Sequence, residues 1–280
     1  MTRLTETDVS TLTDELTAVE ERLRAATGLG LRDLALQTVT DGARCVQLHG
    51  ARIAAVPIST GEGVISGFSE CVVATLLHLG CEAWATSQPD VRGIQAAVAA
   101  GAQVVFLADD HRFIALNVTK GCSTDDDPAT ADGYVTALEA AAGGLEGRDV
   151  LVLGLGPVGR AAVRRLAARG AVVLVTEPDE ERITAAQDVG LAFEVTTLSD
   201  GLARCDLVFD ASPAADVIDV GDVGLPFGLL TLAPRELIEI DPRAHVSTTF
   251  LPATISRTHS SCIRPSAASS CSIVSIPSPK

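Results

Sequence analysis

Two groups of residues in this 280-residue chain have the types and spacing for chemistry. The first is Gly154-Leu-Gly-Pro-Val-Gly159, which follows the apolar run Val150 to Leu153 and opens a helical pattern. Backbone N–H groups at such a turn, together with the helix N-terminus, can hold a pyrophosphate. Gly154, Gly156, Pro157, Val158 and Gly159 are therefore cofactor-binding candidates. Glu177 ends the next predicted strand, roughly 20 residues on, where a carboxylate would accept the hydroxyls of an adenosine ribose. No arginine follows it directly, which favours NAD over NADP. A glycine turn with no nucleotide is the alternative. Downstream, Asp210-Ala-Ser-Pro-Ala214 ends a short apolar strand at the sheet edge where a nicotinamide would lie. The small residues there, Ser212 and Pro213 among them, would admit a cofactor to the backbone, although an ordinary turn would look the same.

The second group lies in the first half. In VVFLADDHRFIALN (104–117) an apolar run meets Asp109 and Asp110 and then turns apolar again, as in a surface turn between strands or a carboxylate placed at a cleft. Pro57-Ile-Ser-Thr-Gly-Glu-Gly63 follows a strand and precedes a helix, so its hydroxyls and N–H groups could receive a substrate carboxylate, or could simply cap the helix. Both segments follow strands of one predicted parallel sheet and so share an edge. If that edge faces the glycine turn, the two groups line one interdomain cleft.

The elements that would position them read as follows. Val9, Leu12, Leu16, Val19 and Leu23 fall on one face of a helix over 6–26, with Thr5 and Asp8 spaced as a capping box, and a shorter helix covers 31–39. Strand and helix then alternate: 52–59, 63–79, 81–87, 91–100 and 102–109. Such alternation implies parallel strands with right-handed crossovers. A link at 125–134 leads into an Ala-rich helix ending near Ala142, and Gly143-Gly144 marks a boundary. Beyond it, strands are expected near 191–196, 206–211 and 227–232. The fold class is α/β with two domains: a helical plus parallel α/β substrate domain over 1–144 and a Rossmann dinucleotide-binding domain over 145–250. A Ser/Pro-rich tail over 251–280 completes the chain; its composition predicts disorder from about 256.

Composition narrows the function classes. A net charge of −15 disfavours nucleic acid and anionic lipid surfaces, and with no membrane partner either a small-molecule substrate is the expected partner. The acidic N-terminus is unlike a signal peptide, which suggests a cytoplasmic protein. Seven scattered cysteines fit reduced thiols, and five histidines without metal-ligand spacing give no metal site. Oligomeric state stays open, a homo-oligomer included.

Several runs resemble the pyrrolysine-biosynthesis dehydrogenase family, which acts on 3-methylornithyl-lysine. They are LTETDVSTLTDELTAVEERLRAATGL at the start, VPISTGEGVI with GFS, PDVRGIQAAVAAGAQVVFLADDHRFIALN, and DVLVLGLGPVG, a similarity over about residues 4 to 240. The resemblance implies an NAD-dependent oxidation of the ornithine side-chain amine, loss of ammonia and ring closure to pyrrolysine. It also implies that Leu4, Ser59, Thr60 and Asn117 contact substrate, that Asp109 is catalytic, and that Leu4 and the first helix close over the substrate. Ser66 and Gly67 stand where that family has glycine and asparagine, and from about 246 its glycine-rich ending is missing. On the same scaffold, another amino-acid or hydroxy-acid dehydrogenase and a non-enzymatic NAD-sensing protein are the competing readings.

Overall fold

The computed structural model describes residues 6–39, 48–64 and 66–212, with side chains from residue 16 onward. Leu4, Thr5, Pro213, the expected strand near 227–232 and the tail lie outside these residues.

The first sheet has strand order β2-β1-β3-β4-β5, built from β1 (Arg52–Val56), β2 (Glu82–Ala85), β3 (Val104–Ala108), β4 (Phe113–Asn117) and β5 (Cys122–Asp125). Helices α3 (Phe68–His78) and α4 (Asp90–Ala99) carry the chain between β1, β2 and β3, which pair in parallel as their alternation predicts. Four of the five β1 residues are buried, as suits a central strand covered on both faces. The run after Asp110 departs from the parallel pattern. With only a tight turn for a connection it must return antiparallel, so β4 pairs with β3 and β5 with β4.

The segment 125–134, expected as a link, forms the first half of helix α5 (Asp126–Ala142). Asp125 is its N-cap and accepts the Asp127 N–H, while Pro128 falls in the first turn, where the missing N–H costs nothing. Almost every residue of α5 from Ala129 to Leu138 is buried, because helix α1 (Glu6–Thr27), helix α2 (Leu31–Val39) and the second domain all pack on it. One hydrophobic cluster runs from Leu23 and Leu76 through Val135 and Leu138 to Val152 and Leu166. Thus α5 belongs to the cores on both sides.

The second sheet, order β8-β7-β6-β9, is wholly parallel: β6 (Asp149–Leu153), β7 (Val172–Thr176), β8 (Glu194–Val195) and β9 (Leu207–Asp210). Helices α6 (Pro157–Ala168), α7 (Glu180–Asp188) and α8 (Leu198–Arg204) connect them. This is a Rossmann arrangement, with the order reversing between β6 and β9. Helices α5 and α6 run side by side in the same direction, fixed by ion pairs of Asp132 with Arg165 and of Glu139 with Arg169. Cys71, Cys81 and Cys205 are free and buried.

Candidate active site

Each glycine of the 154–159 turn has its own physical reason. Gly154 holds φ 88°, a left-handed conformation that glycine adopts without strain. A Cβ at Gly159 would lie 2.0 Å from the Gly154 carbonyl oxygen, so only glycine lets α6 start this close to β6. Around Gly156 a Cβ would meet nothing within 4 Å, leaving open the space a pyrophosphate would fill. Gly156 caps α6 and Pro157 takes its first position, with Val158 following, so unpaired N–H groups and the helix dipole converge there. These residues fit a dinucleotide.

Glu177 is 9% exposed at the end of β7. Its Oε2 accepts the Leu155 N–H at 2.6 Å and its Oε1 accepts the Asp179 N–H at 3.1 Å, so the carboxylate is fixed against the glycine turn. The Arg182 guanidinium lies 3.7 Å from Oε2, a cation that the local sequence reading did not place there. On the far side, Ala211 continues β9 by donating to the Leu153 carbonyl at 2.9 Å. The Ser212 backbone sits beside Gly154, and its buried Oγ has no hydrogen-bond partner. The sheet edge therefore places the 154–159 turn, Glu177 and Ser212 together.

In the first domain the order reverses between β1 and β3, which makes the crevice beyond their carboxyl ends the expected ligand position. Ser59 and Thr60 follow β1 there, while Asp109 and Asp110 follow β3. The two aspartates divide their work unexpectedly. Asp109 Oδ1 accepts the N–H groups of His111 and Arg112, both at 2.8 Å, closing the β3–β4 turn. Those two N–H groups hold its carboxyl below the usual aspartate range. Asp110 reaches the 57–63 loop and accepts the Glu62 N–H at 2.7 Å. Gly61, at φ 73°, makes room for it, since a Cβ there would lie 1.8 Å from Asp110 Oδ2.

Ser59 is bonded through both its N–H and its hydroxyl to Asp90, which adopts φ 55° at the start of α4. The pairing holds Asp90 below the usual carboxylate range and ties the loop to α4. Thr60 is exposed. Asn117 is not brought to this edge. The antiparallel register pairs it with Val104, at the opposite end of β3, roughly 13 Å of strand from Ala108. There its Oδ1 accepts from Thr119 and Lys120 and closes the turn into β5.

The two edges meet at the start of α5. Arg112, in the Asp109 turn, pairs with Asp125 at 3.2 Å. Burial and Asp125 raise the Asp127 carboxyl, and Arg112 and Arg160, just past the glycine turn, are among the groups that oppose the rise. Asp126 lies between them, 1% exposed. Sequence reading missed this junction because three consecutive acids before a proline look like a solvated link; the available signal was Asp125 at cap spacing.

Comparison with known proteins fits this geometry. Residues 8–124 match the family model of the N-terminal domain of pyrrolysine biosynthesis protein PylD, and residues 129–224 match the NAD binding domain of S-adenosyl-L-homocysteine hydrolase. Pyrrolysine synthase of Methanosarcina acetivorans is 28% identical over 232 residues, covering 78% of this chain and 81% of that protein. The pyrrolysine synthase of Methanosarcina barkeri is also 28% identical, over 228 residues, with 78% and 80% covered. Among solved structures, an Ael1 enzyme from Pseudomonas putida aligns at 16% identity with TM-score 0.44, over 78% of this chain and 95% of that one. Quinate dehydrogenase from Corynebacterium glutamicum in complex with NAD aligns at 17% identity with TM-score 0.41, over 62% and 77%. The cofactor of the second domain is NAD. Among the described residues no helix is long and apolar enough to cross a membrane, and no group of His, Cys, Asp or Glu could hold a metal ion. From the match over its first domain and its two pyrrolysine synthase relatives, the chain is similar to the PylD family of pyrrolysine biosynthesis.

Proposed function

We propose that this NAD-dependent dehydrogenase of pyrrolysine biosynthesis oxidises the ornithine side-chain amine of 3-methylornithyl-lysine to an imine, after which ammonia is lost and the ring closes. The observation that carries the reading is the first turn of α5, where Arg112 of the Asp109 turn pairs with Asp125 and Arg160, just past the glycine turn, acts on the adjoining Asp127. A substrate on the β1–β3 edge would then present its amine to the nicotinamide. The 154–159 turn and Glu177 would hold NAD, which when bound supplies the hydride acceptor. Ionised by its turn N–H groups, Asp109 is suited to hold a substrate ammonium by charge. The 57–63 loop, fastened by Asp90 and Asp110, offers N–H groups and Thr60 to the substrate carboxylate.

Incubating the purified protein with the synthetic dipeptide and NAD tests the proposal. NADH and ammonia should form in equal amounts, together with a product of pyrrolysine mass. Oxidation of ordinary amino acids or hydroxy acids, with the dipeptide inert, would favour another dehydrogenase. NAD binding without turnover of any of them would favour a sensing protein.

A further inference from the structure

Asp126 is a buried acid that the reading above leaves without a task. Among the described residues one of its oxygens, Oδ1, has no hydrogen-bond partner, a costly state for a carboxyl that is 1% exposed. Its position follows from the helix. Asp126, Thr130 and Tyr134 recur at four-residue spacing and form one stripe of α5. Tyr134 packs edge-on against Phe209 of β9, at 6.1 Å between ring centroids. Asp126 lies about 12 Å nearer the helix N-terminus. Since α5 and α6 run in the same direction, that is the direction of the cofactor edge, beyond the carboxyl end of β9. The stripe therefore carries Asp126 toward the Asp210–Ser212 edge, where a nicotinamide would lie, while Arg112–Asp125 fixes the Asp109 turn next to it.

Resting on the amine-oxidation reading, we propose that Asp126 is the general base of that reaction: its unpartnered oxygen takes the proton given up by the substrate ammonium. The ammonium held by Asp109 transfers one proton to the Asp126 carboxylate. The nitrogen lone pair then forms the C=N bond as the adjacent C–H bond breaks, and the hydride passes to NAD, giving an iminium ion and NADH. The proton on Asp126 leaves to water before the next turnover.

The division of labour between the aspartates is physical. Asp109 is held ionised by hydrogen bonds and is a poor base. Burial first, then Asp127 and Asp125, push Asp126 well above the carboxylate range, with the Thr130 hydroxyl opposing. The charged and titratable groups acting on it are Asp125, Asp127 and Tyr134 of its own segment, and Arg112 from the β3–β4 turn and Arg160 from α6 act on the adjoining Asp127. An arriving ammonium favours the ionised form, so substrate supplies the charge that readies the base.

The test combines the pH dependence of turnover with direct titration of the carboxyl. In the unmodified protein kcat/KM should fall on the acid side with an inflection above the ordinary aspartate range. Infrared difference spectra should show a buried aspartate carboxyl that titrates above the ordinary aspartate range and loses its proton when the dipeptide binds. Asp126→Asn should bind NAD within a few-fold of normal, lower kcat by roughly 100-fold or more, lose the acid inflection and lose the infrared band. NADH formation by Asp126→Asn with the inflection unchanged would overturn the assignment while leaving the amine-oxidation reading intact. No NADH from the unmodified protein would overturn both. Should Asp126→Asn not fold, the infrared titration of the unmodified protein decides: a band that titrates with kcat/KM supports the assignment, and one that titrates apart from kcat/KM overturns it.

Discussion

At Asp109 and Asp126 two carboxyls of one chain are pushed in opposite directions, and each shift has a consequence for stability. Asp109 is stabilised in its ionised form, so its contribution is present above the unfolded pKa and fades as pH falls through the lower folded value. Asp126 binds its proton more tightly in the folded state, so it costs stability as pH rises from about 4, the ordinary aspartate value, toward its own. Asn at 126 stays neutral. Asp126→Asn should therefore raise the melting temperature near neutral pH by roughly a few degrees, a gain that vanishes as pH approaches about 4; a gain that grows on acidification would contradict the shift. The neighbours Asp109 and Asp110 separate by kinetics. Asp109→Asn should chiefly raise KM for the dipeptide, on the order of tenfold or more, the scale of one lost charge-assisted hydrogen bond. Asp110→Asn weakens the tie to the Glu62 N–H, and its expected effect is a few-fold in KM. Equal losses in both would undo the division. Sequence spacing alone marks both residues but cannot say which carboxylate turns back to its own N–H groups, because that depends on Gly61 across the crevice.

Helices and turns show where local sequence is decisive. The glycine turn was legible because its requirements are met within six residues, and the separate roles of Gly156 and Gly159 lead to separate outcomes. Gly159→Ala forces a Cβ to 2.0 Å from a backbone oxygen and should destabilise the fold by about 1–3 kcal/mol. Gly156→Ala has room, so the melting temperature should hold while NAD binding falls; denaturation and cofactor titration of the two variants check this together. Asn117 is the converse case. The family resemblance put it on the substrate side with Asp109, but antiparallel pairing of β4 sends it to the other end of the sheet. The first half of α5 was hidden for a related reason: acids and a proline read as a link, and only packing against both domains makes the segment a buried helix.

Across the whole molecule, α5 makes the two domains interdependent. The hydrophobic cluster passes through Val135 and Leu138 without a break, and the ion pairs with Arg165 and Arg169 fix α5 on α6. Leu138→Ala should cost about 2–5 kcal/mol, and calorimetry should show both domains melting together in one shifted transition. Two transitions, only one of them moved, would mean that the cores are separate. The first turn of α5 lies at the same junction, with Asp125 paired to Arg112 of the Asp109 turn and Asp127 under the influence of Arg160 just past the glycine turn. The central claim is that the substrate carbon bearing the side-chain amine faces the nicotinamide across the crevice. Dipeptide carrying deuterium on that carbon tests it most directly, by mass analysis of the reduced cofactor after a single turnover. The account predicts one deuterium on the nicotinamide ring and an imine or its hydrolysis product on the substrate. Reduced cofactor without deuterium, or no reduced cofactor at all, would contradict it.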